Sequence, residues 1–117
     1  MKKLCVCGRF RFAREMEGIG RRLKEENVHF RMLKRMGSHG ILGCLRRIDE
    51  ADVVYIVNPG GYVGRSVSVD IGYAYAKNKL MYAMFPVDDP PVMDLVDGVM
   101  SLEALMEFLK EGHAARM

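Results

Sequence analysis

The segment NPGGYVGRSVSVDIGYAYAKNK (58–79) opens with a loop of three glycines beside an Arg-Ser pair, and a single carboxylate follows. Gly60, Gly61 and Gly64 allow positive φ and let a ligand approach the backbone closely. A helix predicted at 67–78 follows this loop, and the first N–H groups of a helix are unpaired and carry partial positive charge. A glycine loop that leads into a helix is therefore a candidate site for a phosphate.

The polar residues of the loop are candidate substrate ligands. Arg65 and Ser66 supply a guanidinium and a hydroxyl that can hydrogen-bond a phosphate or a sugar. Arg9, which comes after Gly8 at the end of the first predicted strand, could converge on the same anion. The alternative is that Arg65 is a surface arginine and that Ser66 or Ser68 only caps the helix.

The carboxylate of Asp70 has two interpretations. In the first turn of the predicted helix it would be stabilised by the helix dipole, and we expect it to stay ionised there. An ionised carboxylate at the mouth of a crevice is also what a glycosidic nucleophile requires, because it can attack an anomeric carbon and form a glycosyl ester.

Three further residues are candidates for contacts with a sugar or a base. Tyr62 can stack on a base or donate from its hydroxyl. Asn58 can read a base edge, because its amide both donates and accepts, but Asn-Pro also opens turns. Phe10 can line the pocket or begin the core-facing stripe of the first helix.

The elements that must position these residues alternate between strand and helix along the chain. The predicted strands are 3–7, 27–31, 52–57, 80–85 and 97–100, and the predicted helices are 12–26, one within 37–51 with Ser38 as N-cap, 67–78 and 101–111. This alternation predicts an α/β, flavodoxin-like, three-layer fold with a five-stranded parallel sheet of order 2-1-3-4-5. Such a sheet binds ligands where the strand order reverses, between strands 1 and 3.

Composition limits the class of protein. The 117 residues predict a single domain spanning 1–117, and half of them are hydrophobic. The apolar run Val53–Val57 is too short to cross a bilayer, and the first residues lack the features of a signal peptide, so we expect a cytoplasmic protein without a membrane partner. Three cysteines without metal-ligand spacing predict buried thiols, no bound metal and no cofactor.

The charge is unevenly distributed, since arginine and lysine crowd the first 36 residues while the net charge is +3. A basic half is compatible with a nucleic-acid partner, with a solvated helix face or with a pocket for small anions. Aromatic residues do not alternate with the basic ones as a single-strand binder needs, so nucleic acid is not expected.

The segment ADVVYIVNPGGYVGRSVSVDIGYAYAKNKLMYAM (51–84) resembles the nucleoside 2-deoxyribosyltransferase-like superfamily, which includes the 2′-deoxynucleoside 5′-monophosphate N-glycosidases. VDIGYA (69–74) looks like the helix opening E-[IL]-G-x-A, and KLCVCGRF (3–10) looks like the first strand of that family. The resemblance covers most of 3–84. It implies an enzyme that cleaves or transfers the N-glycosidic bond of a nucleoside or its 5′-monophosphate, and a homodimer or larger homo-oligomer.

The resemblance also carries roles onto individual residues. It implies that Asp70, in the place of the catalytic glutamate, is the nucleophile. On this hypothesis Tyr62 is a second catalytic residue, and the substrate-binding residues are Gly8, Arg9, Phe10, Asn58, Gly61, Gly64, Arg65, Ser66 and Ser68. Gly64 stands where the transferases carry a further aspartate. These two departures motivate a second hypothesis, a non-catalytic nucleotide-binding or sensing module of the same fold.

Overall fold

The computed structural model describes residues 2–32 and 40–114, the last three of them by backbone alone. The strands are β1 (Leu4–Gly8), β2 (Phe30–Met32), β3 (Val53–Val57), β4 (Leu80–Ala83) and β5 (Gly98–Val99). The α-helices are α1 (Ala13–Glu25), α2 (Gly40–Glu50), α3 (Gly64–Ala76), the one-turn α4 (Pro90–Met93) and α5 (Leu102–Ala114). Short 3₁₀ helices at Phe10–Phe12 and Pro59–Gly61 follow β1 and β3.

The strands form one parallel sheet of order β2-β1-β3-β4-β5, which confirms the predicted flavodoxin-like fold. β1 and β3 lie side by side, with Gly8 opposite Val57 at their carboxyl ends. The connections from β1 to β2 and from β3 to β4 leave in opposite directions across the sheet, so a crevice forms between these two strand ends.

Two apolar cores cover the two faces of the sheet. Helices α2 and α3 pack on the face that carries Cys5, Cys7, Val54 and Ile56, and α1 and α5 pack on the other face. Every residue of β3 is buried, as the continuous apolar run of that strand predicts for a strand covered on both sides.

The prediction of helix 67–78 was wrong at its start, because α3 begins at Gly64. Val63, Val67 and Ile71 are all buried, so the apolar period of the helix already begins before its first residue. Asp70 is consequently the seventh residue of α3 and lies in its second turn, not in its first. The predicted N-cap Ser38 lies outside the described residues.

No helix within the described ranges is both long and apolar enough to cross a membrane.

Candidate functional site

A cavity of about 300 Å³ opens at the carboxyl ends of β1 and β3, where the topology predicts a site. Its lining comprises Gly8, Arg9, Tyr62, Arg65, Ser66 and Val67. The structure thus brings the loop after β1 and the loop after β3 together, and five of the predicted site residues share one cavity with Val67.

The Arg9 side chain crosses from one loop to the other. Its guanidinium carbon lies 4.6 Å from the centre of the Tyr62 ring, which is a cation–π contact. A Cβ atom on Gly64 would lie 2.9 Å from Cδ of Arg9, so the arginine stem lies directly over the bare backbone of Gly64. Gly64 also has φ of +71°, a conformation that other residues seldom adopt. Glycine at this position therefore allows Arg9 to reach the cavity.

The amino terminus of α3 has no side-chain cap. Its N-cap residue, Val63, makes no capping hydrogen bond, and the Ser68 hydroxyl instead donates to the Gly64 carbonyl at 2.6 Å. Ser66 lines the cavity, but Ser68 does not, so Ser68 has a hydrogen-bonding role within the helix and no place in the cavity wall. The uncapped N–H groups of α3 and the exposed Arg65 favour an anion here.

Asn58 is fully buried, and its amide is bonded to a backbone segment rather than directed into the cavity. Its Nδ2 donates to the Phe85 carbonyl at 2.8 Å, and its Oδ1 accepts from the Phe85 N–H at 3.0 Å. The predicted contact with a base is therefore replaced by a link between the loop after β3 and the loop after β4. No pattern near Asn58 in the sequence shows this partner, which is 27 residues away.

Replacing Asn58 with alanine is expected to lower the free energy of unfolding by about 2 kcal/mol or more, because the Phe85 N–H and carbonyl lose their buried partners. Urea unfolding measures this change. Asn78→Gly is the matched control, since Asn78 is exposed with φ of 58°, which glycine adopts readily. Equal stability of Asn58→Ala and the control would contradict the structural role of this amide.

Gly61 and Phe10 also lie away from the cavity lining. Gly61 has φ of +86°, and a Cβ there would lie 2.8 Å from the Pro86 carbonyl oxygen, so this glycine packs against the loop after β4. Phe10 is 61% exposed and packs in neither the cavity nor the core. Its aromatic ring neither lines the pocket nor begins the core-facing stripe of α1. The structure places Phe10 as an exposed ring beyond the end of β1.

Asp70 is buried within α3, one helical turn after Ser66 and Val67 of the cavity lining. Only 4% of the residue is exposed, and within the described part of the chain its Oδ1 has no hydrogen-bond partner. Burial raises the pKa of Asp70 from its ordinary value of 3.8 to about 7. Near neutral pH the carboxyl of Asp70 therefore exists in both protonation states and is not fully ionised as expected, because burial outweighs any dipole stabilisation at the seventh position of a helix.

The carboxyl of Asp70 lies within electrostatic range of the Cys7 thiol in β1. A hydrogen bond with Cys5 and burial raise the pKa of the Cys7 thiol well above its usual value, and the charge of Asp70 raises it further. Cys5, Cys7 and Cys44 are all buried and free of disulfides, as the sequence predicts. No set of three His, Cys, Asp or Glu side chains suited to a metal ion occurs among the described residues.

Asp70 does not itself line the cavity, but two residues that do are within one helical turn of it. Ser66 and Val67 precede Asp70 by four and three positions, and residues at these spacings lie on the same side of a helix. The arrangement combines an arginine-rich mouth with a carboxyl that exists in both protonation states near neutral pH. Such a group can serve as a nucleophile or as a proton donor.

Comparison with known proteins gives structural matches only. No known protein family and no curated protein matches the sequence. A conserved protein from Enterococcus faecalis V583 has a TM-score of 0.68 at 15% identity, over 95% of this chain and 98% of its own. The CMP N-glycosidase BcmB of Clostridium botulinum has a TM-score of 0.56 at 12% identity, over 92% of this chain and 98% of its own.

The Vibrio vulnificus NanR protein, solved in complex with ManNAc-6P, has a TM-score of 0.70 at 12% identity. The match covers 97% of this chain but 50% of NanR. At these identities the similarity establishes a shared fold. It is a fold on which other proteins bind or cleave small sugar and nucleotide ligands.

Proposed function

We propose that this protein binds a nucleoside or its 5′-monophosphate in the cavity between β1 and β3 and cleaves or transfers its N-glycosidic bond. The observation that carries the proposal is Asp70, a buried carboxyl with an unpaired oxygen and a raised pKa, one helical turn from two residues of a cavity that two arginines also line. Titratable groups perturbed in this way concentrate at functional sites. The resemblance to the deoxyribosyltransferase-like superfamily and the fold shared with a CMP N-glycosidase support the same reaction class.

The phosphate or sugar would bind at the mouth of the cavity. Arg65 and the free N–H groups of α3 supply charge-assisted hydrogen bonds, and Arg9 adds a second guanidinium held by its contact with Tyr62. The exposed face of Tyr62 is then available beside the bound sugar or base.

The reaction would take place at the wall formed by Ser66 and Val67. Ionised Asp70 attacks the anomeric carbon as the carbon–nitrogen bond breaks, and the base leaves with that electron pair and takes a proton from solvent. Water or a second acceptor then cleaves the glycosyl ester and releases the carboxylate.

Replacing Arg65 with alanine is expected to raise KM for a nucleoside 5′-monophosphate about tenfold or more, because a charged hydrogen bond to phosphate is lost. KM for the matching nucleoside should change little. Steady-state kinetics on the pair of substrates measures this difference. Arg14→Ala, which removes an exposed arginine of α1, is the matched control. Equal increases in KM for the nucleoside and for the nucleotide would contradict a contact between Arg65 and the phosphate.

One observation favours the second candidate function, a non-catalytic nucleotide-binding module. Asp70 lies outside the cavity lining, and its side chain is one methylene shorter than the glutamate that the resemblance aligns with it. A displacement of about 1 Å can cost about a hundredfold in rate. Thermal-shift stabilisation by nucleotides without any base release would favour this module over the enzyme.

We further propose that the chain forms a homodimer or a larger homo-oligomer. The resemblance implies this state, and exposed apolar side chains on two neighbouring helices support it, since Leu42 of α2 is 71% exposed and Val69 of α3 is 52% exposed. Light scattering after size exclusion should give at least twice the chain mass of 13.3 kDa. A monomeric mass would contradict the proposal.

A further inference from the structure

Two adjoining cavities lie at the other end of the sheet, against the amino ends of β1 and β3. One, of about 200 Å³, is lined by Lys3, Leu4, His29, Arg31, Arg47, Glu50 and Ala51. The other, of about 190 Å³, is lined by Arg31, Gly43, Arg46, Arg47 and Glu50. They share Arg31, Arg47 and Glu50, so they form one continuous depression, called here the basic groove. Since β1 is five residues long, the groove is about 15 Å from the cavity described above.

The basic groove has a strong excess of positive charge. Three arginines and one lysine line it, against the single carboxylate of Glu50. Arg31 comes from the edge strand β2, whereas Arg46 and Arg47 come from the last turns of α2. Three arginines from two separate elements therefore line one depression, and like charges near one another repel unless an anion neutralises them.

The acidic residues near the groove do not neutralise it. Asp49 accepts hydrogen bonds from the Tyr73 hydroxyl and pairs with Lys77, and Asp52 accepts the backbone N–H of Lys3. Among the described residues, no salt bridge is formed by any cation of the groove, whereas Arg22 and Lys110 elsewhere on the surface are paired. The groove thus keeps its charge in the folded chain.

Simpler roles explain single residues of this set. An arginine in the last turn of α2 interacts favourably with the helix dipole, and a charge on the edge strand β2 discourages edge-to-edge pairing. Neither role requires Arg31, Arg46 and Arg47 to line the same cavity. A ligand that carries more than one negative charge would account for this shared cavity.

We propose that the basic groove binds a small anion with two adjacent phosphoryl groups, such as pyrophosphate or the diphosphate portion of a nucleotide. The two lobes of the groove each offer room for one phosphoryl group, and Arg31 and Arg47 lie between them. Guanidinium forks match phosphate oxygens in geometry as well as charge. The lining of the two lobes is mostly charged, with Leu4, Gly43 and Ala51 as its apolar members, which favours a highly charged ligand.

The lining favours this ligand over a nucleic acid. Proteins that bind single strands combine a basic groove with several aromatic side chains on which successive bases stack. Among the residues that the structure describes, no Phe, Tyr or Trp lines either lobe, and His29 is the one ring in the lining. The occupant that fits the groove is therefore a compact oligophosphate.

Isothermal titration of the full chain with pyrophosphate, and with orthophosphate as the singly phosphorylated comparison, tests the proposal. We expect pyrophosphate to bind more tightly than orthophosphate, and Arg31→Ala and Arg47→Ala each to raise the Kd about tenfold. Arg31→Lys keeps the charge but loses the fork, so its Kd should lie between wild type and Arg31→Ala. Arg14→Ala should bind pyrophosphate as wild type does and is the charge-matched control. Arg65→Ala, which alters the other cavity, should keep the part of the binding that Arg31→Ala and Arg47→Ala lose.

Each other outcome would overturn the proposal. If pyrophosphate does not bind, or binds wild type and both groove variants with the same Kd, the groove is not a pyrophosphate site. Loss of binding in Arg65→Ala assigns the anion to the cavity at the carboxyl ends of β1 and β3. A single-stranded RNA oligonucleotide that binds more tightly than pyrophosphate at physiological salt, through the same arginines, makes the groove a nucleic-acid surface. Arg31 is exposed on the edge strand β2, so we expect its variants to fold. They test the proposal even if Arg47→Ala does not fold.

Discussion

Asp70→Asn is expected to abolish the release of free base from nucleosides or their 5′-monophosphates, with a loss of about a thousandfold or more in kcat. Asparagine has nearly the shape of aspartate, but its amide nitrogen and oxygen cannot form the glycosyl ester that a carboxylate forms. Because the substitution keeps the size of the side chain and leaves all six described residues of the cavity lining unchanged, substrate binding should remain largely intact. Chromatography of the free base over a panel of nucleosides and nucleotides measures the reaction for both proteins.

The dependence of the wild-type rate on pH provides a second readout of the same group. A nucleophile must be ionised, so the rate should rise with pH toward about 7 and level off above it. Asp94→Asn, at an exposed position outside the cavity, is the matched control and should leave the rate unchanged. Base release by Asp70→Asn at the wild-type rate would exclude this carboxyl as the catalyst. Binding of nucleotides without release by either protein would favour the non-catalytic module.

Asp70 should also make the stability of the fold depend strongly on pH. Its pKa is about 7 in the folded chain and near 3.8 when the chain unfolds, so the folded state binds more protons between these values. The stabilisation from the protonated carboxyl is therefore complete below about pH 4 and is lost as the pH rises through about 7. Between about pH 5 and pH 8 this amounts to about 3 kcal/mol of unfolding free energy.

Urea unfolding of wild type and Asp70→Asn at these two pH values measures that effect. Wild type should lose about 3 kcal/mol more than the variant on going from the lower to the higher pH, because the variant has no ionisable group at this position. Other pH-dependent pairs, such as Glu26, whose pKa is lowered by Lys110, are present in both proteins and cancel in the comparison. The same pH dependence in both proteins would mean that burial does not raise the pKa of Asp70.

The fold could be predicted from the sequence because the patterns that indicate its strands and helices are local and recur along the chain. The apolar run of β3, the stripe on α1 and the glycines after β1 and β3 each indicate their element without reference to the rest of the chain. The position of Cys5 and Cys7 on one face of a strand likewise follows from the period of two, and both are buried. Parallel strand order then follows from the alternation of strands and helices.

The details of the candidate site depended on contacts that no local pattern shows. The state of Asp70 depended on where α3 begins. The predicted start at 67 lies three positions after Gly64, the first residue of α3, and four after the buried Val63, where the apolar period begins. Asn58 pairs with Phe85, and Gly61 packs against Pro86. Both contacts arise only when β4 is placed beside β3. Short-range spacing therefore predicted substrate contacts for Asn58 and Gly61, whereas in the fold these residues contact the loop after β4.

Those structural links have a consequence for the thermodynamics of ligand binding. Two hydrogen bonds between Asn58 and Phe85, and a third from the Asp88 N–H to the Gly61 carbonyl at 3.0 Å, join the loop after β3 to the loop after β4. The turn that precedes Tyr62 is therefore ordered before any ligand arrives. A preorganised loop loses little conformational entropy on binding, so more of the interaction energy of each contact is retained as affinity.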